Sequence, residues 1–239
     1  MKKNILITGA TSGLGLDLYK NLKKDEKINL ICFYKDKNKI NKIKNKSNFI
    51  KVDFFNKNDV SNLSNLNILK NIDTVIHCAG GGLGYRSDNI NLEQFDKLMT
   101  LNFYSVFEIN KILIKKKLKK KRLNIIMIGS LAGFQPDKAS LGYSTSKSIL
   151  SSYNKILAEK NFNNSVYSKL FVPGSFLSTN GSMDRLKKNK KLIFNKLKQG
   201  FFSKKYMKSS ELIPIIKFLI EKKSDVLTGS VISATNLEG

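Results

Sequence analysis

The chain is predicted to fold as an α/β protein, a doubly wound parallel sheet of seven strands with helices on both faces. Three observations predict it. Short apolar runs alternate with helical stretches along the whole 239 residues. The runs are continuously apolar, as strands covered by helices on both faces are, and do not alternate with polar residues as half-exposed strands do. A glycine loop joins the first run directly to the first helical stretch, which is the arrangement of Rossmann-like sheets.

The strands are read in order as "NILIT" (4–8), "INLICFY" (28–34), "FIKVD" (49–53), "DTVIHC" (73–78), "LNIIMIGS" (123–130), "SVYSKLFV" (165–172) and "GSVIS" (229–233). Helical patterns lie between them near 13–24, 36–45, 57–70, 92–118, 143–160 and 209–222. This β-α-β rhythm argues for a parallel sheet under helices on both sides. No Pro/Gly/Ser-rich linker or break in composition divides the chain, so residues 1–239 are expected to form one domain, with a mobile substrate lid at about 178–208.

Residues 2–7 run from "KKN" into the first strand, which reads as structure and not as a signal peptide. No apolar run approaches the roughly 20 residues of a membrane span, so a cytoplasmic protein with no membrane partner is expected. The formal net charge is +25. Such a charge commonly serves nucleic acid or an anionic surface, yet these lysines are spread through nearly every helix. The densest run, "KKKLKKKR" (115–122), ends a helix, where cations complement the dipole and face water. No nucleic-acid partner is expected. Neither is a metal, since no zinc-ligand spacing occurs. Cys32 and Cys78 fall on strands that flank the first strand, about two strand spacings apart, too far for a disulfide.

Chemistry concentrates in two stretches. "ITGATSGLGL" (7–16) places Gly9, Gly13 and Gly15 between a strand and a helix. The backbone there can approach a ligand closely, and free N–H groups at the helix start form an anion site for a pyrophosphate. "ASLGYSTSKS" (139–148) sets Tyr143 and Lys147 four apart, on one face of a helix. A phenol titrates near pH ~10, and a neighbouring cation favours phenolate, so the lysine is expected to lower the Tyr143 pKa.

Together with "HCAG" (77–80), Asn102 and Ser130, these motifs resemble the short-chain dehydrogenase/reductase family in its short single-domain branch, similar to 3-oxoacyl-carrier-protein reductases. The resemblance covers nearly the whole chain. It implies that Tyr143 gives a proton to a substrate carbonyl as hydride arrives from a nicotinamide, or accepts it in reverse. It implies that Ser130 hydrogen-bonds the substrate oxygen, that Lys147 holds the nicotinamide ribose, and that Asn102 shapes its helix and holds a water linking Lys147 to solvent.

Cofactor contacts are carried over in the same way. Gly9, Ser12, Gly13, Leu14 and Gly15 line the phosphates; Asp53 contacts the adenine and Phe54 adds a backbone contact; Ala79 and Gly80 pass beneath the cofactor. Pro173, Gly174 and Ser178 lie at the nicotinamide carboxamide, with Ser178 standing where the family usually has threonine. After the second strand comes Lys35, a partner for a 2'-phosphate, with Asp36 next, a partner for a free 2'-hydroxyl. NADP is favoured over NAD.

Two departures are visible. "HCAG" stands where the family often has Asn-Asn-Ala-Gly, and His77, the only histidine, is read as structural. The tail "LTGSVISATNLEG" lacks the Gly-Gly often found after the last strand, although the resemblance implies a homodimer or homotetramer. The substrate is a small carbonyl or alcohol. Ten Lys or Arg against one acid in 178–208, with Tyr85, Arg86 and Arg185, suggest that it is anionic: a keto-sugar nucleotide, a sugar phosphate or a 3-oxoacyl thioester. Two other readings are a dinucleotide-binding regulator without turnover and a sugar-nucleotide epimerase or dehydratase of the related extended branch.

Overall fold

Continuous apolar strands need cover on both faces, and the central strand β1 (Lys3–Thr8) shows why: Ile5, Leu6 and Ile7 are all fully buried, alternate side chains feeding opposite cores. The structure is a computed structural model that describes residues 2–43, 48–118, 121–135, 139–201 and 203–235. Beside β1 lie β2 (Ile28–Tyr34) and β3 (Phe49–Lys51) on one side, with β4 (Thr74–His77), β5 (Leu123–Ile128), β6 (Val166–Pro173) and β9 (Val231–Ala234) on the other. The order is β3-β2-β1-β4-β5-β6-β9, and every neighbouring pair is parallel. This is the seven-stranded sheet expected from the sequence.

Helices α1 (Gly13–Leu22), α2 (Lys37–Ile40) and α9 (Ser209–Ile220) accompany one face, where Leu16, Leu18, Ile216 and Leu219 meet Ile5, Ile7 and Ile76. On the other face Val106 and Ile109 of α5 (Ser105–Lys116) and Leu150 and Leu157 of α6 (Leu141–Asn161) close over Leu6, Val75, Ile125 and Leu170. The chain winds outward from β1 to β3 and then returns to β4 on the far side of β1. Strand order therefore reverses between β1 and β4, the point at which doubly wound sheets place their crevice, outside the carboxyl ends of the strands. The glycine loop after β1 and the "CAG" turn after β4 both fall there.

Three helical expectations differ in detail. The stretch 36–45 is a short helix, α2, and residues 44–45 lie outside the described residues. The stretch 57–70 breaks after α3 (Lys57–Asn62) into two 3-10 turns. The stretch 92–118 is α4 (Leu92–Met99), a π-turn over Thr100–Tyr104, and then α5. Its lysine-rich end falls as expected at a helix end, with residues 119–120 outside the described set. Lys121 there reaches Asp73 at 3.3 Å and Arg122 pairs with Asp225, so the run's last two cations brace the sheet. Lys169, fully buried on β6, joins them through Asn124 Oδ1 at 2.7 Å and Asp225 at 3.3 Å; burial lowers its pKa to about 8.

Between β6 and α9 the chain forms its own layer: β7 (Phe176–Leu177), α7 (Ser182–Asn189), α8 (Lys191–Gln199) and β8 (Met207–Lys208), with β7 and β8 paired in parallel. Leu186, Phe194, Phe201 and Tyr206 make a separate small core. The Phe194 and Tyr206 rings stack at 4.4 Å, and the Tyr206 hydroxyl donates to the Phe194 carbonyl at 2.8 Å. The stretch read as a lid is a folded two-helix unit. Residues 236–239, in the tail where the family's Gly-Gly is missing, lie outside the described residues. Cys32 and Cys78 are both free, as expected.

Candidate active site

The glycine loop folds back onto the turn after β4. Gly9 and Gly13 take φ of 68° and 61°, left-handed values that favour glycine. A Cβ on Gly9 would lie 2.9 Å from the Ala79 backbone, and one on Gly15 would lie 2.5 Å from the Gly9 carbonyl. Thr8 fixes the approach by accepting the Ala79 N–H at 3.0 Å. Ser12 precedes α1 with its side chain uncommitted to capping, and Leu14 is buried in the core with Ile5 and Ile7.

Across the cleft, Asn102 is fully buried on the π-turn. Its Oδ1 accepts the Gly81 N–H at 2.9 Å, and its Nδ2 lies within 3.0–3.1 Å of the carbonyls of Leu98 and Gly81 and of Ser146 Oγ. Such π-bulges commonly mark functional sites, because the extra residue re-aims a side chain inward. A Cβ on Gly80 would stand 2.9 Å from Asn102 Oδ1 and 3.0 Å from Lys147 Nζ. The glycine lets both polar groups reach the floor of the cleft.

Ser130 leaves the end of β5 and caps a 3-10 turn by accepting the Ala132 N–H at 3.3 Å. Its hydroxyl also bonds that of Tyr143. Lys147, one turn further along α6, is 5 % exposed and donates to the Ile128 carbonyl at 2.9 Å. Burial lowers its pKa to about 8, with the nearby Cys78 opposing. Tyr143 departs from the expectation. Burial raises its phenol above the ordinary value, and the Ser130 bond offsets this only in part. The phenol therefore stays protonated at neutral pH, because desolvation outweighs the Ser130 hydrogen bond.

His77 is buried on β4 beneath this group, its Nε2 2.8 Å from Asn110 Oδ1, while Asn110 donates to the Tyr153 hydroxyl at 3.3 Å. Burial lowers its pKa to about 4; the Asn110 bond opposes and Lys147 adds to the lowering. It is a neutral structural residue, as its sequence position suggested.

At the other end of the cleft, Lys35 pairs with Asp53 at 3.1 Å and lies 4.6 Å above the Phe55 ring. Asp53 Oδ1 accepts the Phe55 N–H, and Phe54 turns inward against the main core. Asp36 caps α2 by accepting the Asn38 N–H at 2.9 Å and meets Lys39 at 3.7 Å. Pro173 ends β6, and the Gly174 N–H bonds Ala234 at 2.9 Å. Ser178 Oγ stands 3.8 Å from the position of a Gly13 Cβ, so this segment overlies the glycine loop.

A clasp that sequence reasoning missed holds it there. The Gly13 N–H donates to Thr179 O at 2.7 Å, and Asp17 on α1 accepts from the Thr179 N–H at 3.0 Å and from Ser209 Oγ at 2.6 Å. The one available signal was Asp17 itself, the single acid on a helix that otherwise carries lysine. Of the substrate candidates, Tyr85 is tied over the start of α6 by Ser140 Oγ to its carbonyl at 2.9 Å. Gly82 in the same loop sits 3.9 Å, measured from its Cβ position, from the Tyr143 ring. Arg86 is exposed beside them. Arg185 stays within the two-helix unit between β6 and α9, donating to the Asn180 carbonyl at 2.6 Å, and no described contact brings it to Tyr143.

The family model for short chain dehydrogenase matches residues 3–190. A 3-oxoacyl-acyl-carrier-protein reductase of Buchnera aphidicola subsp. Baizongia pistaciae is 28% identical over 245 residues, 97% of this chain and 95% of that protein. One of the same description from Buchnera aphidicola subsp. Acyrthosiphon pisum is 28% identical over 158 residues, 66% of this chain and 63% of that protein. A short chain dehydrogenase from Burkholderia cenocepacia, solved in complex with NADP, shares the fold with a TM-score of 0.81 at 17% identity, covering 98% of this chain and 96% of that one. The chain belongs to the short-chain dehydrogenase family of oxidoreductases.

Proposed function

We propose that the protein is an NADP-dependent oxidoreductase that interconverts a carbonyl and a secondary alcohol by hydride transfer. The observation that carries this reading is the Ser130–Tyr143 hydroxyl bond set beside a buried Lys147 and above Gly80. The residues fit a dinucleotide. Gly9, Gly15 and Gly80 hold the backbone where side chains would collide. Ser12, Leu14 and Gly15 at the start of α1 suit phosphates, and Gly13 joins them once its N–H leaves the Thr179 carbonyl; Asp53 and Phe54 suit the adenine end, Ala79 and Gly80 the floor, and Pro173, Gly174 and Ser178 the carboxamide. Asp36 spends its carboxylate on the α2 cap and Lys39, which weakens an NAD reading. Lys35, more than half exposed on its side chain, meets a 2'-phosphate by exchanging its 3.1 Å ion pair with Asp53. NADP in the Burkholderia relative is in keeping with this choice.

When bound, the cofactor supplies or accepts the hydride. Tyr143 donates its phenolic proton to the carbonyl oxygen as the C–H bond forms, and Ser130 hydrogen-bonds the same oxygen. A phenol kept protonated by burial is in the state that reduction requires. Lys147, with a pKa of about 8, stays mostly cationic at neutral pH and stabilises the phenolate left behind. Asn102 clamps Gly81, and so fixes the loop that crosses the Tyr143 ring.

The substrate is an anionic carbonyl compound, with Arg86 and Tyr85 at the entrance as its partners. Among 3-oxoacyl thioesters, keto-sugar nucleotides and sugar phosphates, the first class accords with the description of the Buchnera relatives. An NADPH-oxidation screen over these three classes and neutral ketones tests the reading. Turnover of an anionic class, with KM raised by Arg86→Ala, is expected. Tight cofactor binding with no turnover of any carbonyl would favour a non-catalytic regulator instead.

A further inference from the structure

Helix α8 presents apolar residues to water. Phe194 alone is buried, in the lid core, whereas Leu192, Ile193 and Leu197 are 86%, 42% and 47% exposed. Leu192 precedes Phe194 by two residues, about 200° around the helix, so it points almost directly away from the protein. Ile193 and Leu197, at i and i+4, share the adjoining flank. A single exposed leucine is ordinary. Three on one nine-residue helix make an aliphatic ridge about 140° wide, with Lys196 between Leu192 and Ile193.

The ridge is flanked and interrupted by one sign of charge. Lys191, Lys196 and Lys198 lie on α8, and Lys187, Lys188 and Lys190 immediately precede it. The one acid between residues 178 and 208, Asp184, is already paired with Lys188 at 3.4 Å. The positive field around the ridge is therefore unopposed within the lid.

We propose that α8 is a peripheral membrane-contact helix, which lays Leu192, Ile193 and Leu197 into the interface of an anionic bilayer while the lysines around it meet the headgroups. The chemistry of the patch selects lipid over an acidic protein. Protein interfaces draw on aromatic residues and arginine and are depleted in lysine. Here the aromatic rings of Phe194 and Tyr206 face inward and Arg185 is bonded to Asn180, which leaves aliphatic side chains and lysines on the outside. A fluid anionic surface asks for nothing more. The sequence expectation of no membrane partner rested on the lack of a spanning run, and none of the described helices is long and apolar enough to cross a bilayer. Surface contact is a different arrangement, and it stands on α8 whatever reaction the cleft performs.

Co-sedimentation of the full chain with vesicles of equal parts phosphatidylcholine and phosphatidylglycerol, and with phosphatidylcholine alone, tests the proposal. Binding to the anionic vesicles only is expected. Leu192→Ser/Ile193→Ser/Leu197→Ser leaves the charge unchanged and should weaken that binding by about tenfold or more. Lys187→Glu/Lys191→Glu should weaken it more than the charge-matched pair Lys57→Glu/Lys70→Glu on distant elements. The thermal midpoint shows whether each variant folds; if the triple variant does not, Leu192→Ser alone should still give a loss of about threefold. Absence of binding to anionic vesicles, binding untouched by the α8 substitutions, equal effects of the two charge swaps, or capture of an acidic protein in place of vesicles would each overturn the proposal.

Discussion

Buried His77 should make this protein lose stability on mild acidification, by an amount its surroundings set. The imidazole is 2 % exposed and its pKa falls from 6.5 to about 4, chiefly through burial. Because the folded chain takes up the proton less readily than the unfolded one, this contribution to stability is full above pH 6.5 and is lost as the pH falls toward 4. At 1.36 kcal/mol per pH unit the loss is about 3 kcal/mol, a large fraction of the stability of an ordinary domain. The assay is urea unfolding at closely spaced pH values for the parent and for His77→Asn, which keeps an amide donor for Asn110 and removes the titrating ring. The variant should be less stable near neutrality, and the difference should shrink through the same window. Parallel profiles for the two proteins would show that His77 is not buried neutral, and the argument would fail.

Gly80→Ala should push Lys147 Nζ and Asn102 Oδ1 off the cleft floor, since a Cβ there would stand 3.0 Å and 2.9 Å from them. NADPH oxidation should fall by about tenfold or more, and the thermal midpoint should fall as well, because Asn102 is fully buried and hydrogen-bonded where it would be displaced. Asp17→Ala releases Thr179 and Ser209 together; NADPH dissociation, followed by stopped-flow, should quicken by about threefold to tenfold. Lys35→Ala should weaken NADPH binding by about tenfold while NADH binding changes little, a selectivity ratio read by fluorescence titration.

The sheet was legible because a strand covered on both faces leaves an unbroken apolar run, and "LNIIMI" or "SKLFV" could hardly be read otherwise. The interruption of the long helix at Thr100–Tyr104 was not legible. A π-turn adds one residue without changing the apolar pattern, and here Asn102 takes the Leu98 carbonyl with its own amide. Tyr143 and Lys147 were picked out by spacing and Ser130 and Asn102 by the family resemblance, and Lys147 and Asn102 meet at Gly80 just after β4. The sign of the Tyr143 pKa shift was missed, because burial is a property of tertiary packing and the i, i+4 spacing reports only the lysine. The lid's core was also invisible, since Phe194, Phe201 and Tyr206 follow no single period. Asp36, read as a partner for a ribose hydroxyl, is a helix cap, a role that its place before a four-residue helix decides.

The account turns on Tyr143 as the proton donor. Tyr143→Phe removes the hydroxyl and its bond to Ser130 while keeping the ring that packs against the Gly82 loop. Single-turnover NADPH oxidation with an anionic carbonyl substrate, measured alongside NADPH affinity, should show a rate loss of about a hundredfold or more with affinity nearly unchanged. Turnover by the variant at the parent's rate would contradict the account.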